Sequence, residues 1–208
     1  MKHTTRIPKT LGWPIMKLAW ASKAAPRAQT NNREVESVLD PGVVATQDDL
    51  GYDRRMPMSI NLQAVYPRKL AAVRREVAPG AVGSAWGPAL GKVWPFIRSQ
   101  PGLWTNGHNI FLYQHPTQPG GLILCDFGVE VTRTFEPVGE VYATETPGGE
   151  AAVAVHRGPY NRMNEAHDAI RKWMAANRRE SAGHSWEIYG DPTADPADTE
   201  TTVVYLLK

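Results

Sequence analysis

One acidic residue, Glu187, lies in a stretch of alternating residue types that is typical of a β-strand. Over residues 184–189 the alternation places Glu187 and Tyr189 on one face and Trp186 and Ile188 on the other. We expect the apolar pair to pack under a helix, so that Glu187 and Tyr189 face a cleft. Aromatic neighbours there would attract cations, and desolvation would raise the pKa of the carboxyl and make it a better general base. The simpler alternative is a solvated carboxylate on an open sheet face.

The segment around Glu187 has a counterpart earlier in the chain. Residues 107–113 and 183–189 share Gly, His and Tyr at a constant offset of 76 positions. Phe111 and Tyr113 occupy the positions that correspond to Glu187 and Tyr189. The sequence therefore predicts one carboxylate among Phe and Tyr rings.

Two further matches follow in the same order along the chain. Trp94 corresponds to Trp173 at an offset of 79, and the Ala-Ala-Val sequence at 71–73 recurs at 151–153, at an offset of 80. We infer a tandem duplication of a strand–helix–strand–strand unit. Two such units predict an α+β fold, a pseudo-two-fold domain with a central ligand cleft at the seam. The expected domain spans 59–208, with repeats at about 59–136 and 137–208.

Residue patterning also predicts the individual elements. Pro95 should kink or shorten the first helix, whereas Pro159 suits the first position of the second helix. Strands are predicted at 60–65, 70–77, 110–113, 121–129, 139–144, 151–156, 184–189 and 201–207, and helices at 84–98 and from Pro159 onward.

Three more aromatic residues are candidate pocket residues. Tyr160 follows His156-Arg157-Gly158-Pro159, which places its ring near a strand end at the cleft mouth, where its hydroxyl can reach a ligand. Trp86 and Trp104 flank the first helix and could wall the other side of the cleft. For each of the three, packing in or at the edge of the core is the alternative.

Several kinds of site are not expected. The six His show no metal-binding spacing, no phosphate-binding glycine motif occurs, and we predict neither a metal nor a cofactor. The single cysteine, Cys125, lies in an apolar run and is expected to be a buried small hydrophobe. One cysteine also excludes an internal disulfide framework.

Charge is distributed unevenly along the chain. Residues 1–58 carry nine basic residues, six acidic residues and five prolines, whereas residues 59–208 carry 14 basic and 15 acidic residues. We interpret 1–58 as a largely disordered basic arm of a cytoplasmic protein, with a secretory signal or a transit peptide as alternatives. The near balance of charge argues against general nucleic-acid binding, and no apolar run is long enough to span a membrane.

The residues after 150 resemble a known family. The strand leading into H-x-G-P-Y, the helix with a mid-face Trp, the E-I-Y strand, the Asp/Pro loop and the final strand resemble the second half of a GyrI-like small-molecule-binding domain. This is also the effector-binding domain of some AraC-type and MerR-type regulators, and it is related to the SOUL haem-binding fold. The resemblance is strong over 137–208, weaker over 59–136 and absent over 1–58.

This resemblance implies a duplicated fold with a cleft for amphipathic cationic or aromatic compounds. The family carboxylate at the cleft floor falls on Glu187, and the Tyr of the G-P-Y motif falls on Tyr160. We expect a stand-alone binding protein that acts in drug sequestration, resistance or sensing. The first alternative is a hydrolase that opens cyclopropanoid compounds, with Glu187 as base and Tyr160 as hydrogen-bond donor; the second is a protein–protein inhibitor. No helix-turn-helix precedes the domain, so direct nucleic-acid binding is not expected.

Overall fold

A computed structural model describes residues 58–103, 107–191 and 193–208 of the 208-residue chain. The predicted arm at 1–58, apart from its last residue, and Trp104 therefore lie outside the described residues. Within the described residues the chain forms eight β-strands and two α-helices: β1 (Ile60–Val65), β2 (Lys69–Val77), α1 (Val82–Ser99), β3 (Asn109–Gln114), β4 (Ile123–Glu130), β5 (Tyr142–Glu145), β6 (Gly149–Arg157), α2 (Asn164–Ala176), β7 (Ser181–Tyr189) and β8 (Glu200–Leu207). A 3₁₀ turn, Tyr160–Arg162, precedes α2. The predicted α+β class is confirmed.

All eight strands form one antiparallel sheet in the order β1-β6-β8-β7-β3-β4-β2-β5. The order strand–helix–strand–strand occurs twice, as β2–α1–β3–β4 and β6–α2–β7–β8. These two halves meet where β3 pairs with β7. The outer strands are exchanged, because β1 pairs with β6 of the second half and β5 pairs with β2 of the first.

Both helices cover the same face of this sheet. Helix α1 buries Ala89, Leu90, Val93 and Ile97 against a cluster that includes Phe111, and His167 of α2 contacts Glu187. Phe111 and Glu187 are direct partners in the β3–β7 ladder, and directly paired residues project from the same side of a sheet. The helix-covered face is thus continuous across the seam between the halves.

The opposite face of the sheet must be concave. Only three residues connect β1 to β2, and only three connect β5 to β6, although each pair is six positions apart in the sheet. In a flat sheet that separation would be about 29 Å, whereas such a connection reaches at most about 14 Å. The sheet therefore curls away from the helices, and its inner face encloses a core of its own: Leu70, Ala72, Ile110, Leu112, Ala151, Val153, Trp186, Val204 and Leu206.

This geometry corrects the expected direction of the apolar pair on β7. The alternation is as predicted, but Trp186 and Ile188 pack in the concave core, on the face away from the helices. Glu187 projects to the helix-covered face instead. The reason is that both faces of a curled, helix-covered sheet are buried, so an apolar side chain can point to either.

The expectation that Pro95 shortens the first helix is also wrong, because α1 continues to Ser99. Its buried stripe of Ala89, Leu90, Val93 and Ile97 begins directly after Pro88 and spans Pro95, and packing of this stripe outweighs the lost backbone hydrogen bonds. At Pro88 the preceding residue is Gly87, which has no Cβ to clash with the proline ring in a helical conformation.

The concave core can be tested through Trp186, which is 2% exposed. We expect Trp186→Ala to lower the free energy of unfolding by about 3–5 kcal/mol, because the change removes a large buried side chain and leaves a cavity. Urea denaturation followed by circular dichroism measures this loss. The control is Tyr66→Ala, which removes an exposed ring and should change stability by less than about 0.5 kcal/mol. Equal effects of the two substitutions would contradict the concave core.

Candidate functional site

The carboxylate of Glu187 is buried at the centre of the helix-covered face. Glu187 is 6% exposed, and three side chains in the described part of the chain donate hydrogen bonds to its carboxylate. Tyr113 from β3 and Tyr189 from β7 donate to Oε2, at O···O distances of 2.7 and 2.5 Å. His167 from α2 approaches Oε1 through Nε2 at 2.8 Å. The neighbouring strands β3 and β7 and the helix α2 thus each supply part of the site.

His167 links Glu187 to a longer chain of polar side chains. Its Nδ1 lies 3.0 Å from the hydroxyl of Tyr205 on β8, and Arg171 donates to the same hydroxyl at 3.2 Å. Sequence reasoning treated His167 only as a possible metal ligand and missed this contact. A signal was present, because His167 lies on α2 three positions before the buried Ile170 and seven before the buried Met174, so it lies on the same stripe of the helix.

The pKa of Glu187 moves in the direction opposite to the sequence-based expectation. Burial alone raises the pKa of this carboxyl, but the hydrogen bond and charge of His167 and the hydrogen bonds from Tyr189 and Tyr113 together lower it. The carboxylate is therefore ionised at neutral pH. Burial and the neighbouring charge of Glu187 raise the pKa of Tyr113 and of Tyr189 well above the ordinary value, so both phenols stay protonated as donors.

Aromatic rings surround this carboxylate. The ring of Tyr189 lies 4.7 Å from that of Phe111 and 5.5 Å from that of Tyr160, measured between centroids. The Trp86 ring stacks on Phe111 at 6.4 Å. Burial raises the pKa of the half-buried Tyr160, whose hydroxyl remains protonated.

The structure brings six of the seven candidate residues into one contiguous group: Glu187, Tyr189, Tyr113, Phe111, Tyr160 and Trp86. The seventh, Trp104, lies outside the described residues. A cation that reached this group would meet an ionised carboxylate and several aromatic surfaces, which is a favourable combination for binding positive charge.

Cavities among the described residues lie elsewhere in the fold. One of about 500 Å³ lies beside the C-terminal part of α2 and is lined by Arg171, Met174 and Tyr205, among others. The other, of about 280 Å³, lies on the concave face. Neither is lined by Glu187, whose carboxylate is covered by its own hydrogen-bonding partners. A ligand of Glu187 must therefore displace at least one of these partners.

The described residues offer little to other chemistries. In 58–103, 107–191 and 193–208, no three His, Cys, Asp or Glu side chains are grouped to hold a metal ion. No helix in that part of the chain is both long and apolar enough to cross a membrane. Cys125 is buried, and burial raises its pKa to about 12, so it remains a thiol.

Comparison with known proteins identifies a family. The sequence model described as "GyrI-like small molecule binding domain" matches residues 58–207, which confirms the resemblance inferred from the sequence. No match to a curated protein sequence is found.

Solved structures support the same fold at low sequence identity. The EcmrR C-terminal domain superposes with a TM-score of 0.61 at 19% identity, covering 74% of this chain and 99% of that one. An EcmrR–DNA complex gives 0.62 at 19% identity, covering 75% of this chain but only 59% of the EcmrR chain. SAV2435, described as bound to tetraphenylphosphonium, gives 0.57 at 10% identity, covering 73% and 94%.

The lowered pKa of Glu187 predicts how stability depends on pH. A carboxyl whose pKa is lower in the folded than in the unfolded protein stabilises the fold above the unfolded pKa, and this contribution disappears as pH falls through the folded pKa. At pH 7 we expect Glu187→Gln to lower the free energy of unfolding by about 1–3 kcal/mol. Below about pH 4, where the unfolded carboxyl is protonated, the difference from wild type should shrink.

Urea denaturation at a series of pH values measures this difference, with Glu136→Gln as the matched control because Glu136 is exposed. The control should follow the wild-type curve throughout. A difference between wild type and Glu187→Gln that grows as pH falls would contradict the lowered pKa.

Proposed function

We propose that this chain, which belongs to the GyrI-like small-molecule-binding domain family, binds small organic cations with aromatic groups at Glu187. The observation that supports this proposal is the ionised carboxylate of Glu187, buried among the rings of Tyr113, Tyr189, Phe111 and Tyr160. Aromatic faces attract cations, and their attraction strengthens where water is excluded.

The two oxygens of the carboxylate play different parts in this proposal. Both tyrosine hydroxyls hold Oε2 from the sheet, whereas among the described residues only His167 on α2 contacts Oε1. A cation that enters between the helix and the sheet would replace His167 at Oε1. The two phenols would continue to hold the carboxylate in place, so the charge is positioned before the ligand arrives.

The probe for this site follows from a protein of the same fold. SAV2435 is described with tetraphenylphosphonium bound, a cation surrounded by four aromatic rings. We infer that the present site takes ligands of that class. The role of such binding, whether sequestration, resistance or sensing, and the cytoplasmic location both remain predictions, as does the absence of direct nucleic-acid binding.

We also infer that the two halves arose by duplication and that the seam between them is the binding cleft. The strand order is symmetric about the β3–β7 pair, and the outer strands are exchanged between the halves. In that pair Phe111 lies directly opposite Glu187, the residue 76 positions later that corresponds to it. The pseudo-two-fold axis would then pass between these two residues and place the carboxylate at the centre of the cleft.

The alternatives of a cyclopropanoid hydrolase and a protein–protein inhibitor remain predictions. The lowered pKa of Glu187 makes its carboxylate a weaker base than a carboxyl tuned toward neutral pH, which supports binding rather than proton abstraction.

Titration with tetraphenylphosphonium tests the proposed function. We expect saturable quenching of tryptophan fluorescence, in part from Trp86, which stacks on Phe111. Glu187→Gln should weaken binding at least about tenfold, because it removes the charge that compensates the cation.

The matched controls change the charge of one component at a time. Glu136→Gln removes an exposed carboxylate and should bind the phosphonium as wild type does. Tetraphenylborate has nearly the same shape with the opposite charge and should bind far more weakly. Equal affinity of wild type and Glu187→Gln for the phosphonium, or equal affinity of wild type for the two probes, would refute a cation site at Glu187.

A further inference from the structure

A second buried carboxylate lies on the opposite, concave face of the sheet. Asp126 on β4 is 3% exposed and borders the cavity of about 280 Å³. It pairs in the β-ladder with Leu112, a residue of the concave core, and therefore points away from the helix-covered face and from Glu187. The cavity is thus separated from the proposed cation site by the thickness of the sheet.

Asp126 already binds a guanidinium group. Arg74 donates from Nε to Oδ1 and from Nη2 to Oδ2, both at 2.8 Å, which is the bidentate geometry of a strong charged pair. The hydroxyl of Tyr142 donates to Oδ1 at 2.5 Å, and the Arg74 guanidinium carbon lies 5.5 Å from the centroid of the Tyr142 ring. The carboxylate of Asp126 and the ring of Tyr142 therefore together bind a planar cation.

The guanidinium that pairs with Asp126 belongs to a partly exposed side chain. The Arg74 side chain is 49% exposed, whereas the Asp126 side chain is 4% exposed. Solvent screens an arginine in this position, and holding its long side chain in one geometry costs conformational entropy. The buried carboxylate of Asp126 is therefore held more firmly in place than the exposed side chain of Arg74 that pairs with it.

The cavity beside the pair adds features that Arg74 does not use. Its lining includes the apolar Leu112 and Leu124, which can cover an aliphatic chain. Glu145 also borders the cavity, but its partner in the β-ladder is Lys69, so an opposite charge lies directly across from it. The carboxylate that faces the cavity is therefore that of Asp126, which Arg74 compensates.

The wall of this cavity is held in place without a ligand. Backbone N–H of Thr146 donates to the carbonyl of Arg68, and backbone N–H of Arg68 donates to Oγ1 of Thr146, both at 3.0 Å. Gly148 lies against Pro67 so closely that a Cβ would come within 2.9 Å of the proline ring. The segment that connects β5 to β6 is therefore fixed, and the cavity is preformed.

We propose that this cavity is a second ligand site, for a small aliphatic guanidine whose cationic group replaces that of Arg74 on Asp126 and Tyr142. The aliphatic chain then lies over Leu112 and Leu124. Arg74 acts as a tethered competitor that keeps the buried carboxylate paired until a ligand arrives. The site is independent of the proposed function at Glu187.

Isothermal titration calorimetry with n-butylguanidine tests this site. Wild type should bind it with millimolar affinity, because the ligand must displace Arg74. Arg74→Ala should bind at least about tenfold more tightly, since it removes the competitor and leaves the buried carboxylate of Asp126 to be compensated. A mere structural role of Arg74 predicts instead a less stable protein with no gain in binding.

A double variant shows which group holds the ligand. Arg74→Ala leaves the buried carboxylate of Asp126 without its cation, so circular dichroism verifies the fold of this variant and of the double variant Arg74→Ala, Asp126→Asn. The double variant should lose the binding that Arg74→Ala gains, whereas Glu136→Gln should match wild type.

Neutral and competing probes decide the remaining outcomes. The neutral isostere n-butylurea should not bind to Arg74→Ala, and saturating tetraphenylphosphonium should not displace n-butylguanidine. Absence of n-butylguanidine binding by Arg74→Ala, equal binding of the urea, or displacement by the phosphonium would overturn the proposal. These results do not depend on whether the phosphonium binds at Glu187, so the two sites succeed or fail separately.

Discussion

Three residues join β1 to β2, and three join β5 to β6, although each pair of strands is six positions apart in the sheet. Connections this short require the sheet to curl until its outer strands approach each other. The concave face then encloses its own apolar core, while both helices lie on the convex face. Because the exchanged outer strands close the curl from both sides, the seam at β3 and β7 lies at the middle of the convex face, between the two helices.

Each face of this curled sheet contains one buried carboxylate, and the two are stabilised in different ways. Asp126 faces the concave side and is compensated by the guanidinium of Arg74. Glu187 faces the helices, and among the described residues it is bound by two uncharged phenols and by His167, whose charge also lowers the pKa of the carboxyl. Hydrogen bonds from neutral donors keep a carboxylate ionised without cancelling its charge. A cation that replaced His167 would therefore meet a carboxylate held only by neutral donors, whereas a cation at Asp126 must displace both contacts of Arg74.

The sequence could predict the partners of Glu187 within the sheet but not those outside it. Alternation along β7 places Tyr189 beside Glu187, and the 76-residue offset places Phe111 and Tyr113 nearby, because both relations are periodic. The side to which Trp186 points could not be predicted, since sheet curvature depends on strand order and connection length rather than on residue pattern. The contact with His167 depends on how α2 packs on the sheet, and the lowered pKa of Glu187 depends on that contact.

The pairing of Phe111 with Glu187 explains why the two halves differ at their centre. These residues lie directly opposite each other across β3 and β7, where Cβ atoms are typically about 4.5–5.5 Å apart. Two carboxylates at that distance in a buried site would repel, and the pKa of one would rise strongly, so that the pair would carry a single charge. With phenylalanine at position 111, Glu187 remains ionised and gains an aromatic neighbour whose ring contacts Tyr189. In the proposed site, one half thus supplies the charge and the other supplies an aromatic surface.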